Sequence, residues 1–381
     1  MEKKVLGVAW VGQGDFGDEA MAYALRSALG RSTDVKKLTY YQHGDSCRFM
    51  GKGDIPVKRL YGYKGNPRWR NLCDSLLLRR FNTIIYGGGS ILHSQAGIVR
   101  KLKLLQRMRA GEREVFAAAI GVTVGPLNTP GEEAACADFI DALDLVVTRD
   151  NHSYELAKSL CPKANLYSGF DISMALSALC PEDFPEDIER GRSNTVGVFL
   201  IVKAKDYHAQ DFDENILQPY CSLLRYILGT GATLKPFVLY VGDDYPDILL
   251  HKRLVAQVEG LGWDDVHVYD GNIFRTVEAM RSCNRIVSMR YHGIIFAHML
   301  GIPFLSLEYD QKNSYFCRSV GYSEEMYVGF YPPHNLTDVY GRLDTLFERG
   351  EDFLATAKPP EETRDIAIEG LKCLCSGVQR T

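Results

Sequence analysis

Short apolar runs alternate with longer amphipathic stretches along most of the chain, the pattern of strands and helices laid down in turn. Residues 5–11 read as a first strand and 17–29 as a first helix, with Ala20, Ala24, Leu25 and Ala28 on its inner side. Strands follow at 35–41, 83–86, 115–125 and 145–148, with helices over 98–108 and 134–143, and residues 165–176 close the first half. Residues 43–80, rich in Gly, aromatics and cations, read as a long loop with a helix near 70–80. An acidic, Pro-containing linker over 181–193 comes next. Alternation then resumes with strands at 195–202, 235–241, 266–269, 285–289 and 304–309 and helices at 215–228, 248–259 and 273–281, before a last helix over 361–375. Strand and helix in this order call for parallel sheets covered on both faces. The expected fold is α/β, with two doubly wound Rossmann-like domains facing across a cleft. They take in residues 1–180 and 194–345, with a helical tail over 346–381.

Composition narrows the class. A length of 381 residues exceeds one ordinary core, and 46% hydrophobic with 24% charged residues suits a soluble globular protein. Ten cysteines show no metal-ligand spacing, the closest pair being Cys373 and Cys375, so neither a zinc site nor a disulfide scaffold is indicated. No metal or bound cofactor is expected, and reducing cytosol is the simplest compartment. The first apolar run is only strand-length and is not a signal peptide, and no segment nears the roughly twenty apolar residues of a membrane span. The net charge of -4 hides a basic block: between Lys52 and Arg113, fourteen Lys and Arg stand against Asp54, Asp74 and Glu112. That block should lie on one face. No nucleic-acid partner is expected.

The chemistry concentrates at residues 284–303. An apolar run ends at Met289, Arg290, Tyr291 and His292 follow, a helix continues from Gly293, and Pro303 opens the next strand. In parallel sheets ligands gather beyond the carboxyl ends of strands, where Arg290 and His292 fall. The helix start near Gly293 and the Arg290 guanidinium both favour an anion, and His292 beside them would give or take a proton once that anion is bound. A plainer reading pairs Arg290 with a nearby carboxylate and has His292 cap a turn.

Other turns repeat the theme. Gly12, Gly14 and Gly17 match a dinucleotide-binding spacing, but Asp15, Asp18 and Glu19 crowd the place a pyrophosphate would take. Carboxylates there suit sugar hydroxyls instead, or one of them caps the helix, a part that fits Asp18 best. Gly87, Gly88 and Gly89, followed by Ser90, let a ligand approach the backbone at the end of a strand. Arg149 follows another strand and is a second candidate anion ligand, unless it pairs with Asp150 or Glu155. The helix over 98–109 carries Arg100, Lys101, Lys103, Arg107 and Arg109 around Leu102, Leu105 and Met108, which suits an anionic membrane surface, a diphosphate-linked acceptor or simple solvation.

Taken in order, the segments 14–20, 87–90, 119–126, 148–153, Arg290-Tyr291-His292 with Ala297 and 301–303, and 309–312 resemble the polysaccharide pyruvyl transferase family. The resemblance runs from the first strand to about Lys312. It implies a glycosyltransferase-B-like fold and transfer of the enolpyruvyl carbons of phosphoenolpyruvate onto sugar hydroxyls, leaving a pyruvate ketal and free phosphate. Arg290 and His292 match the family's catalytic Arg-x-His pair. Arg149, Arg290, Gly293 and Lys312 would hold phosphoenolpyruvate, which carries a carboxylate and a phosphate on adjacent atoms. Asp15, Asp18, Gly88, Gly89 and Ser90 would meet the acceptor, a sugar, polysaccharide or lipid-linked oligosaccharide at the inner membrane face. Asp15 stands where the family more often has Asn, Tyr291 where Leu is usual and Gln311 where Pro is common, departures that bear on the acceptor more than on the reaction. Two other classes fit the same pattern: a nucleotide-sugar-dependent glycosyltransferase, and a non-catalytic sugar-binding or scaffold protein of cell-surface assembly.

Overall fold

The computed structural model describes residues 4–35, 38–40, 78–111, 113–184, 194–242 and 246–380. The loop and helix expected over 43–80, apart from the last three residues, and residues 185–193 of the expected linker lie outside the described residues. The chain forms two compact units: Met1–Gln13, Asp18–Cys180 and Arg364–Thr381 make the first, Gly14–Gly17 and Pro181–Thr363 the second.

The first unit is built on β1 (Val5–Val8), β2 (Leu38–Tyr40), β3 (Thr83–Leu92), β4 (Phe116–Val124), β5 (Leu145–Thr148) and β6 (Leu166–Ser168), in the order β2-β1-β3-β4-β5-β6. Every pair is parallel, with Val5 opposite both Leu38 and Thr83. Its core joins Ile84 and Tyr86 of β3 and Ala117 and Ala119 of β4 to Ile98 and Leu105 of helix Gln95–Met108 and Phe139 of helix Pro130–Asp141. The latter helix starts earlier than hydrophobic periodicity suggests. Thr129 and Glu132 form a reciprocal capping box and Pro130 supplies a preset φ, so the first turn is specified by capping instead of by apolar spacing. β3 does not stop before the glycines. It runs through them to Leu92, with Gly88 and Gly89 at φ 68° and 81° and a register shift against β4 after Gly89.

The tail expected over 346–381 divides. Helix Leu336–Thr356 starts before 346 and belongs wholly to the second unit. Helix Pro360–Arg380 returns to the first unit from Arg364 onward, burying Leu371, Leu374 and Val378. Gly370 and Gly377 let it approach closely: a Cβ would lie 2.8 Å from Val147 Cγ1 at the one and 2.2 Å from Phe116 Cζ at the other.

The second unit repeats the plan with β7 (Thr195–Phe199), β8 (Thr233–Val238), β9 (His267–Val268), β10 (Arg285–Ser288), β11 (Phe304–Glu308) and β12 (Tyr327–Gly329), ordered β12-β11-β10-β7-β8-β9. All pairs are again parallel. In each sheet the winding reverses once, between β1 and β3 in the first and between β7 and β10 in the second. A crevice at the carboxyl ends of such neighbours is where doubly wound sheets take their ligands.

Candidate functional site

In the second unit the turn after β10 is fixed by backbone bonds. Met289 N–H donates to the Phe199 carbonyl of β7 at 2.8 Å, and the Ser288 hydroxyl donates to the Arg290 carbonyl at 2.8 Å. Arg290 is the extended residue before helix Tyr291–Met299. Gly293 lies in the first turn of this helix, two residues past its start. Its N–H donates to the Arg290 carbonyl at 3.0 Å, so it closes the turn and is not an open donor for an anion. What Gly293 contributes is closeness, since a Cβ would sit 2.2 Å from Ser288 Oγ.

Residues Gly14–Gly17 extend this site. Phe16 N–H donates to the Leu239 carbonyl at 3.0 Å, Val241 N–H to the Gly14 carbonyl at 2.9 Å, and Asp15 forms an antiparallel bridge with Tyr240. The Phe16 ring packs 5.5 Å from Tyr269 and 4.8 Å from Phe296, centroid to centroid. The loop therefore belongs at the carboxyl end of β8, and Asp15, expected on the acceptor side in the first half, lies with the second unit. Its carboxylate accepts the Gly17 N–H at 2.9 Å, the capping part assigned from sequence to Asp18. The imidazole of His292 rests on the bare Cα of Gly17: a Cβ there would fall 1.7 Å from Nδ1.

Arg290 forms an ion pair with Asp247, whose residue is 1% exposed, and its guanidinium lies 5.9 Å from the centre of the Tyr240 ring. Burial works against its charge, but Asp247, Asp15 and Tyr309 outweigh that and hold its pKa above the ordinary arginine range. The guanidinium is thus a permanent cation. Lys312 opens helix Lys312–Ser319 after β11, its ammonium 4.9 Å above the Tyr309 ring and 5.9 Å from that of Tyr291. Arg290, His292, Lys312 and Asp15 all stand at the carboxyl edge of this one sheet.

The remaining candidates gather in the first unit. Arg149, 1% exposed, donates from Nε to Thr123 Oγ1 at 2.6 Å, from Nη1 to Asp171 Oδ2 at 3.3 Å and from Nη2 to Ser90 Oγ at 3.4 Å. It pairs with Asp171, and not with Asp150 or Glu155, the partners of the plainer sequence reading; Asp150 caps helix Asn151–Leu160 by accepting the Ser153 N–H at 2.7 Å. Arg149 thus lies with Ser90 in the first unit. Asp18 lies over Gly89, its Oδ1 3.3 Å from where a Cβ would be, and Met21 fills the space beside Gly88.

Asp247, Tyr240 and Tyr331 are site residues that sequence reasoning missed. Asp247 had one signal, an acid just after a proline at a helix start, but its partner is 43 residues away. Tyr331 follows β12, donates to Asp206 at 2.7 Å and accepts the Lys203 N–H at 2.9 Å. In the basic helix, Arg109 is occupied by the Val115 and Ala142 carbonyls and by Asp144, leaving Arg100, Lys103 and Arg107 exposed. No helix among the described residues is long and apolar enough to cross a membrane.

Solved structures resemble this chain over nearly its whole length. A putative UDP-N-acetylglucosamine 2-epimerase from Listeria monocytogenes superposes with a TM-score of 0.65 at 10% identity, over 100% of this chain and 98% of that one. A UDP-GlcNAc 2-epimerase from Neisseria meningitidis, bound to UDP-GlcNAc, gives 0.62 at 13% identity over 98% and 100%. The Anabaena protein Alr3699/HepE, in complex with UDP-glucose, gives 0.53 at 11% identity over 97% and 99%. At such identities the likeness shows the fold: two Rossmann-like units of the glycosyltransferase-B-like class. No curated protein sequence matches the chain. Residues 15–311 match the family model described as polysaccharide pyruvyl transferase, and the chain belongs to that family. It is accordingly a transferase of polysaccharide biosynthesis.

Proposed function

We propose that the protein transfers the enolpyruvyl carbons of phosphoenolpyruvate to a sugar, polysaccharide or lipid-linked oligosaccharide, forms a pyruvate ketal and releases phosphate. The observation that carries this reading is the grouping of Arg290, His292 and Lys312 at the carboxyl edge of one parallel sheet, beside its reversal point. Two cations suit the carboxylate and phosphate of phosphoenolpyruvate, and a planar guanidinium suits two-point contact with either. In the reaction the methylene carbon gains a proton, a sugar oxygen bonds to the neighbouring carbon as its hydroxyl proton departs, and phosphate leaves as a second hydroxyl closes the ketal. His292 carries one of these proton transfers. The site needs no bound cofactor for this chemistry, since phosphoenolpyruvate is itself the activated co-substrate.

Asp18, Gly88, Gly89 and Ser90 serve the acceptor from the first unit. Arg149 orders Ser90 there, and Asp15 serves the second unit's site beside Arg290. The protein works in the cytoplasm, and exposed Arg100, Lys103 and Arg107 meet the inner membrane face when the acceptor is lipid-linked. The test is phosphate release from phosphoenolpyruvate with sugar acceptors. His292→Ala is expected to lower it at least about 100-fold; equal release by variant and wild type would remove His292 from the chemistry. Glycosyl transfer from a nucleotide sugar predicts instead that a nucleoside diphosphate raises the melting temperature and phosphoenolpyruvate does not.

A further inference from the structure

The bond between Arg290 and Asp247 joins two turns that are not neighbours. Arg290 follows β10, Asp247 opens helix Asp247–Gln257 after β8, and β7 lies between those strands. The pair therefore spans the carboxyl end of β7, over the place where the sheet reverses. Asp247 is 1% exposed, Oδ2 pairs with Arg290, and Oδ1 is buried with no hydrogen-bond partner. Its backbone is separately anchored, its carbonyl taking a bond from His251 Nδ1 at 2.8 Å. A half-satisfied carboxylate in such a place is costly unless its one partner needs it.

We infer that Asp247 is the positioning counter-ion of Arg290: it holds the guanidinium across the reversal point while the site is empty, and an incoming substrate anion competes with it. The inference rests on the reading of Arg290 as a phosphoenolpyruvate ligand. Asp247 does not touch the reacting atoms. Its carboxylate fixes where the guanidinium points and tempers its attraction for anions of the wrong shape. Removing that charge while keeping the shape leaves Arg290 misplaced and underneutralised. Turnover then falls while simple anions bind better.

The experiment compares full-length wild type with Asp247→Asn and Asp247→Glu, measuring phosphate release from phosphoenolpyruvate and the melting-temperature rise produced by inorganic phosphate. Asp247→Asn is expected to lose about 10- to 100-fold in kcat with no rise in KM for phosphoenolpyruvate, a cost of the size that a small misplacement carries. Its stabilisation by inorganic phosphate should exceed the wild-type value, and Asp247→Glu should bring that stabilisation back to wild type. A kcat within twofold of wild type, or a phosphate effect no larger than the wild-type one, overturns the inference. Should Asp247→Asn not fold, the double variant Asp247→Leu, Arg290→Met decides. A folded double variant supports Asp247 as the partner that buried Arg290 requires, and an unfolded one contradicts it. A wild-type protein that releases no phosphate from phosphoenolpyruvate refutes the proposed reaction, yet leaves the comparison of phosphate binding intact because it needs no turnover.

Discussion

At Gly17 a hydrogen in place of a methyl group decides where an imidazole can lie. Alanine is the better helix former by about 1 kcal/mol, so Gly17→Ala would ordinarily stabilise helix Phe16–Ser32. The Cβ would, however, overlap His292 Nδ1, and the ring must move. The expected result is a folded variant, by circular dichroism, whose phosphate release falls at least tenfold; unchanged release would mean that the ring's position is unimportant. Arg290→Lys tests a different property. It keeps a charge and loses the planar fork, so KM for phosphoenolpyruvate should rise and kcat fall, where a scaffold protein would tolerate the change. The positions of Arg290 and His292 were legible because the apolar run of β10 ends just before them, whereas Lys312 stood out only through the family resemblance. The unit to which Asp15 belongs was not legible, since it depends on a bridge to Tyr240, 225 residues away, that no local pattern announces.

Among elements, helix Tyr291–Met299 shows both what periodicity reveals and what it hides. Ile294, Ile295, Phe296, Ala297 and His298 are all buried, so beyond its first turn the helix presents no polar side, and His298 sits in the interior near the Phe316 ring and Thr363. Burial pushes its pKa down to about 4 from 6.5. The unfolded chain binds the proton first. The contribution of neutral His298 is therefore complete above pH 6.5 and disappears as pH falls through about 4, worth roughly 3 kcal/mol. Denaturant titrations of wild type and His298→Asn across pH 4–7 should show a shallower acid loss in the variant; parallel curves would contradict this. Helix Lys312–Ser319 and β12 escaped sequence reading for related reasons. Asn313, Ser314 and Ser319 are buried polar residues held by bonds from Asn313 Nδ2 and the two serine hydroxyls to internal oxygens, which breaks the apolar rhythm, and β12 is only three residues long. The alternation of strands and helices, which sets the doubly wound class, was legible because buried parallel strands are nearly continuous apolar runs.

At the scale of the whole molecule the chain crosses between its units more than once: residues 14–17 lie in the second, and 364–381 return to the first. The last helix is thus part of the first unit's core. Leu374→Ala should cost about 2–5 kcal/mol in that unit, and deletion from residue 360 should open it to protease while the second unit persists. Equal protease resistance before and after deletion would contradict this. What the assembled protein makes can be read from the product formed with phosphoenolpyruvate and a sugar acceptor, identified by mass spectrometry alongside released phosphate. The expected product is an acceptor bearing a pyruvate ketal, one per phosphate released, with wild type and not with His292→Ala. An unmodified acceptor with phosphoenolpyruvate, together with an acceptor lengthened by one sugar when a nucleotide sugar is supplied, would contradict that expectation.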